Sequence, residues 1–158
     1  MSFLTKFKAM IEGTRFLILC EDVRKYAEKN YDPDETLGVV SAKEQKKLEP
    51  VFFASYDELI AKKGLTDDEI RQKSNINKTV LTKLRAHSLV PSKRTLIQLA
   101  IAMELDINDA EWLLQSAGYE FSRASMGDLA ARFFIECKLY DMKLINDVID
   151  SLGYKIKG

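Results

Sequence analysis

The stretch that most constrains this chain is Leu65 to His87, LTDDEIRQKSNINKTVLTKLRAH. It reads as two short helices joined by a tight turn. Thr66 and Glu69 stand in the S/T-x-x-E spacing of a capping box, which satisfies backbone groups orphaned at a helix start. Ser74-Asn75-Ile76 is the break: Asn75 tolerates the left-handed conformation that ends a helix, Ile76 plugs the gap between helices, and Asn77 caps the next one. The second helix is expected over residues 78–86. At about 100° per residue, Val80, Leu81 and Leu84 share one side of it, while Thr79, Thr82, Lys83 and Ala86 share the other, flanked by Lys78 and Arg85. One face is core, and the other is small, polar and basic.

These residues resemble the lambda-repressor/Cro-type helix-turn-helix family, over roughly residues 55–106. The similarity is carried by Leu65-Thr66 before the first helix, Ile70 as its core anchor, Ile76 in the turn, Asn77-Lys78-Thr79 opening the recognition helix, Leu81 and Leu84 holding it down, and Pro91-Ser92 leading into the next helix. The chain departs from that pattern where Arg71 replaces a small residue, Asn75 a turn glycine, and Asp67 a glutamine that touches the DNA backbone. The resemblance implies double-stranded DNA as partner. Asn77, Lys78, Thr79, Thr82 and Lys83 would then read base edges, because short polar side chains at the start of such a helix reach into the major groove. Lys73, Arg85 and Lys93 would meet phosphates. Asp67 would turn a carboxylate toward the same backbone. The tail from Ser92 also resembles a helical extension of bacterial proteins in which such a helix-turn-helix module is attached to unrelated partner domains, which implies an accessory or regulatory role.

Charge distribution agrees with that placement better than total charge, which is zero. Residues 1–54 carry nine basic and nine acidic side chains; residues 55–94 carry nine against five, or +4; residues 95–158 carry six against ten, or −4. The neutral total argues against a general polyanion binder. It leaves a second reading open, a protein-interaction or regulatory module whose recognition face no longer binds DNA. A homodimer is compatible with either, since a small net charge on one module predicts weak binding by a monomer.

The remaining chain reads as an all-α fold: a helix-turn-helix domain of about seven helices over residues 51–158, preceded by a small, helical N-terminal extension and charged linker over 1–50. Phe3, Leu4, Phe7, Met10 and Ile11 recur at helical spacing, with Gly13 as the expected stop, and a core face is the first reading of that stripe; a membrane-surface or partner-binding helix is the second. Phe16–Cys20 reads as helix, with a buried strand as the alternative. Asp34 to Pro50 reads as a linker or a loosely attached helix around the patch Leu37–Val40, whose lysines Lys43, Lys46 and Lys47 form a solvated face, and Pro50 marks the boundary. Ser55 with Glu58 is expected to open a short helix that Gly64 closes. His87 is expected in a solvated loop, and Lys93 and Arg94 beside free backbone amides at the start of the helix after Pro91, where a phosphate is favoured and two solvated cations are the alternative of equal weight. That helix, apolar nearly all round, must be enclosed. Asn108 with Glu111 is expected to cap the next helix, with Trp112, Leu113 and Leu114 facing inward. Ser125 with Asp128 begins another, and a last one runs from Asp141 to Leu152. The last two either extend the core or offer an apolar face to a second subunit.

Catalytic chemistry is not expected. One His and two isolated Cys fit no metal or disulfide spacing, no glycine-rich phosphate loop is present, and no cofactor is implied. With no apolar run of membrane-spanning length and no signal-peptide pattern, a cytoplasmic protein without a membrane partner is the expectation.

Overall fold

The chain's helix signals, apolar residues at 3–4-residue spacing punctuated by Ser, Thr, Asp, Asn and Gly, are realised as eight helices in the computed structural model, which describes residues 2–35 and 40–156. No strand occurs among the described residues. The helices are α1 (Phe3–Asn30), α2 (Ala42–Lys63), α3 (Asp67–Ser74), α4 (Lys78–Arg85), α5 (Lys93–Ala102), α6 (Ile107–Ser116), α7 (Met126–Glu136) and α8 (Met142–Leu152). Leu37 to Val39 of the expected apolar patch lie outside the described residues.

Helix α5 is the central element. Leu96, Ile97, Leu99, Ala100, Ile101 and Ala102 are all buried, because α3, α6 and α8 pack around it. Helix α2 lies on α6, and α7 on α6 and α8. The second half of α1 closes the assembly by packing Cys20, Val23 and Ala27 against α7 and α8. Leu129, Phe134, Ile145 and Val148 are at most 2% exposed, so the last two helices extend the core and do not leave that face open to a second subunit.

Several expected boundaries move. Gly13 does not stop α1, since its φ is not positive and a glycine inside a helix costs only about 1 kcal/mol relative to alanine. The helix therefore runs on through Phe16–Cys20. Pro50, the expected boundary, lies inside α2, which starts at Ala42 with Ser41 and Glu44 as a full capping box. A proline at that position forfeits one hydrogen bond to the preceding turn without having to end the helix. Consequently Ser55 is no cap. It is buried in α2, and its hydroxyl donates to the Val51 carbonyl at 2.8 Å. The cap of α6 is Asp106, whose carboxylate accepts the Asp109 N–H at 2.8 Å, in place of Asn108. Trp112 is 37% exposed while Leu113 and Leu114 are buried, since three consecutive helical residues cannot share one face.

Tyr56 on α2 is buried, and desolvation, with the Asp67 carboxylate adding to it, pushes its hydroxyl from an ordinary value near 10 up to about 12. The fold favours the neutral phenol. Its stabilisation is therefore complete below about pH 10 and lost as pH rises through about 12. An alkaline titration of helical circular dichroism is expected to show a smaller loss over that window for Tyr56→Phe than for the natural chain; equal curves would refute the assignment.

Candidate nucleic-acid interface

The candidate interface is the outward face of α4, and its position follows from local chemistry. Thr66 caps α3 by accepting the Glu69 N–H at 3.2 Å, while its hydroxyl donates to the Glu69 carboxylate at 3.1 Å. Asn75 ends α3 in the left-handed region at φ 59, Ile76 is 5% exposed in the turn, and Ser74 ties the corner by donating to the Ile70 carbonyl at 2.6 Å. Asn77 then caps α4. Leu81 and Leu84 are at most 1% exposed and pin α4 to the body, with Val80 half-buried. What remains outside is Lys78, Thr79, Thr82 and Lys83, all exposed.

The residues singled out in the sequence separate into three groups here. Lys78, Thr79, Thr82 and Lys83 stand together on the open face, and neither lysine is in a salt bridge among the described residues. The Thr82 hydroxyl donates to the Lys78 carbonyl at 3.0 Å, which leaves its oxygen as an acceptor. Asn77 sits beside them, but its side-chain carbonyl accepts the Thr79 N–H at 2.7 Å. Two-point recognition of adenine uses that same oxygen, so capping takes up one of its two lone pairs and leaves the other, with the amide N–H donors, for a base.

Lys73, Arg85 and Lys93 form the third group, and each is engaged by a carboxylate. Lys73 pairs with Glu104 at 3.2 Å and Arg85 with Asp67 at 2.9 Å, both at the surface. Asp67 thus presents a matched charge, not the bare carboxylate its place in the sequence suggests. Lys93 is not at the surface. It is 7% exposed and reaches inward to the fully buried Asp128 on α7, whose same carboxylate oxygen accepts the Ser122 N–H at 2.8 Å. It therefore does not serve as the phosphate contact expected at the start of α5. Its neighbour Arg94 is exposed and lines a cavity of about 370 Å³ between α5, α8 and the segment after α8.

His87 is exposed in the turn after α4, as expected of a solvated loop residue, but it also has partners there. It follows α4 with φ 56, stacks on Phe53 at 4.8 Å between ring centroids, and pairs with Asp57 at 2.7 Å. This ties the end of α4 to α2. The sequence holds no local signal for it, since the partners lie more than a helix away. No family model, no curated protein and no solved structure matches the chain.

Proposed function

We propose that this protein binds double-stranded DNA sequence-specifically through α4 and acts as a transcriptional regulator of the lambda-repressor/Cro-type helix-turn-helix class. The observation that carries the reading is the open face of α4: two threonine hydroxyls between two exposed lysines, on a short helix held by buried Leu81 and Leu84, with Ile76 buried before it and the His87 contact to α2 after it. Such a helix can enter a major groove with donors and acceptors leading and cations available to bases or flanking phosphates. Because the surrounding cations are already matched, a single copy has few charges to offer phosphate. A homodimer presenting two α4 helices about one helical turn apart would supply the rest.

Fluorescence anisotropy with labelled duplexes in a salt titration tests the reading. Salt-sensitive binding is expected, with Lys83→Ala and Lys78→Ala each reducing the salt slope by about 1 if their ammonium groups meet phosphate, and Thr79 and Thr82 substitutions changing which duplex is preferred. No salt-sensitive binding to random genomic duplexes at low salt would sink it.

One observation favours the second reading, a protein-interaction or regulatory module on the same scaffold: Lys73, Arg85 and Lys93 already have carboxylate partners in the free protein. Capture of a protein partner that survives Thr79, Thr82 and Lys83 changes, in a chain that binds no duplex, would decide for it.

A further inference from the structure

Helix α1 carries two apolar stripes on opposite sides, and only one of them is covered. Cys20, Val23 and Ala27, with Phe16 and Leu19 beside them, face α7 and α8. At about 100° per residue, Phe3, Phe7, Met10 and Leu17, joined by Leu4 and Ile18, lie roughly half a turn of the helix away. These six are 46–78% exposed, so the reading of this stripe as core does not hold. A contiguous apolar patch of this kind on a folded protein marks an interaction surface, unlike apolar residues scattered singly. Phe3 and Phe7 stack on each other at 6.1 Å between centroids, for want of any core partner.

The margins of the stripe identify what covers it. Lys6 borders one edge, Lys8 and Arg15 border the other, and the lone acid of this stretch, Glu12, sits toward the reverse face. Two copies paired through the stripe would juxtapose cations in either direction: Lys6 against Lys8 and Arg15 when parallel, each margin against its own kind when antiparallel. Like charges at these margins oppose pairing. A planar anionic lipid surface has the opposite requirement, an apolar stripe to lie among acyl chains and long basic side chains whose stems cover its edges while their heads meet headgroup phosphates. The fold leaves that approach open, because the helical body hangs from the reverse side of α1. No helix among the described residues is long and apolar enough to cross a membrane, so the geometry is that of a helix lying on the surface.

We infer that the first half of α1 is a reversible anchor for anionic membrane surfaces, inserting Phe3, Leu4, Phe7, Met10, Leu17 and Ile18 with Lys6, Lys8 and Arg15 at the headgroups. This does not depend on α4, and it takes up the second reading of the stripe, a membrane-surface helix, in place of the first.

Co-sedimentation of the full chain with vesicles of phosphatidylcholine, alone and mixed with phosphatidylglycerol, tests it. Binding to the mixed vesicles is expected to exceed binding to phosphatidylcholine and to weaken with salt. Lys6→Gln, Lys8→Gln and Arg15→Gln should each lower the partition coefficient about fivefold. Phe7→Asp should lower it at least about tenfold with the helical circular dichroism retained, since Phe7 is 46% exposed and lies outside the core. The inference is overturned if the natural chain does not sediment with the mixed vesicles. It is overturned equally if Phe7→Asp sediments as well as the natural chain, which would place the lipid contact elsewhere. A solution mass that falls from dimer to monomer on Phe7→Asp would assign the stripe to a second copy instead.

Discussion

Replacing Asp128 by alanine is expected to destabilise the fold by about 3–5 kcal/mol, the cost of stranding one half of a buried ion pair. The Lys93 ammonium would stay buried without its counter-charge, and the Ser122 N–H would lose its acceptor. Lys93→Met should be at least as harmful, because it leaves a fully buried carboxylate whose second oxygen, Oδ1, already has no hydrogen-bond partner within the protein. A chain of this length loses roughly 2–4 °C of Tm per kcal/mol, so either change is readily seen. The double substitution Lys93→Met with Asp128→Leu should recover most of the loss, since two apolar side chains of similar volume remove both desolvation penalties together. Urea unfolding followed by circular dichroism, with m unchanged, measures all three. Losses below about 1 kcal/mol for both single variants would mean that the pair is not buried as described. The result also bears on α4, because a DNA-binding defect in a Lys93 variant would report a damaged fold and not a missing phosphate contact.

The second large effect is expected at Gly127 on α7. A Cβ there would lie 2.0 Å from the Lys155 carbonyl oxygen and 2.6 Å from the Ile156 nitrogen. Both are backbone atoms, so no side chain can turn aside. Gly127→Ala must lift the segment after α8 from its seat, breaking the 3.4 Å bond from the Ser125 hydroxyl to the Lys155 carbonyl and exposing Tyr154 and Ile156, which pack against the core. Losing the burial of two partly covered side chains corresponds to about 2–4 kcal/mol. The wall of the cavity beside Arg94 would be lost with it. Truncation after Gly153 should produce a similar loss, and Gly127→Ala added to the truncated chain should cost little more; full additivity would place the effect inside α7.

Much of the helical pattern was legible in the residues. Thr66, Asn75 and Asn77 punctuate α3 and α4 where they were read to do so, and Ser92, Ser125 and Asp141 open α5, α7 and α8 as expected. Caps and glycine stops are local: their hydrogen bonds span three to five residues, so the spacing of side chains nearly specifies them. The same reasoning misplaced Ser55, Asn108 and Gly13, because a capping-box spacing also occurs by chance within a helix and a glycine ends one only where the backbone turns left-handed.

The sequence by itself determined an all-helical chain, the α3–turn–α4 unit, and the small polar face that α4 shows to solvent, all consequences of contacts within a few residues. Only the tertiary structure decided which charges remain available on that face. Lys93 meets Asp128 across 35 positions, Lys73 meets Glu104 across 31, and His87 meets Asp57 across 30. It also decided which stripe of α1 is covered, since both are apolar and equally helical in period. Pairing and burial at such separations depend on how helices pack, and helical periodicity carries no information about which neighbour a face will meet.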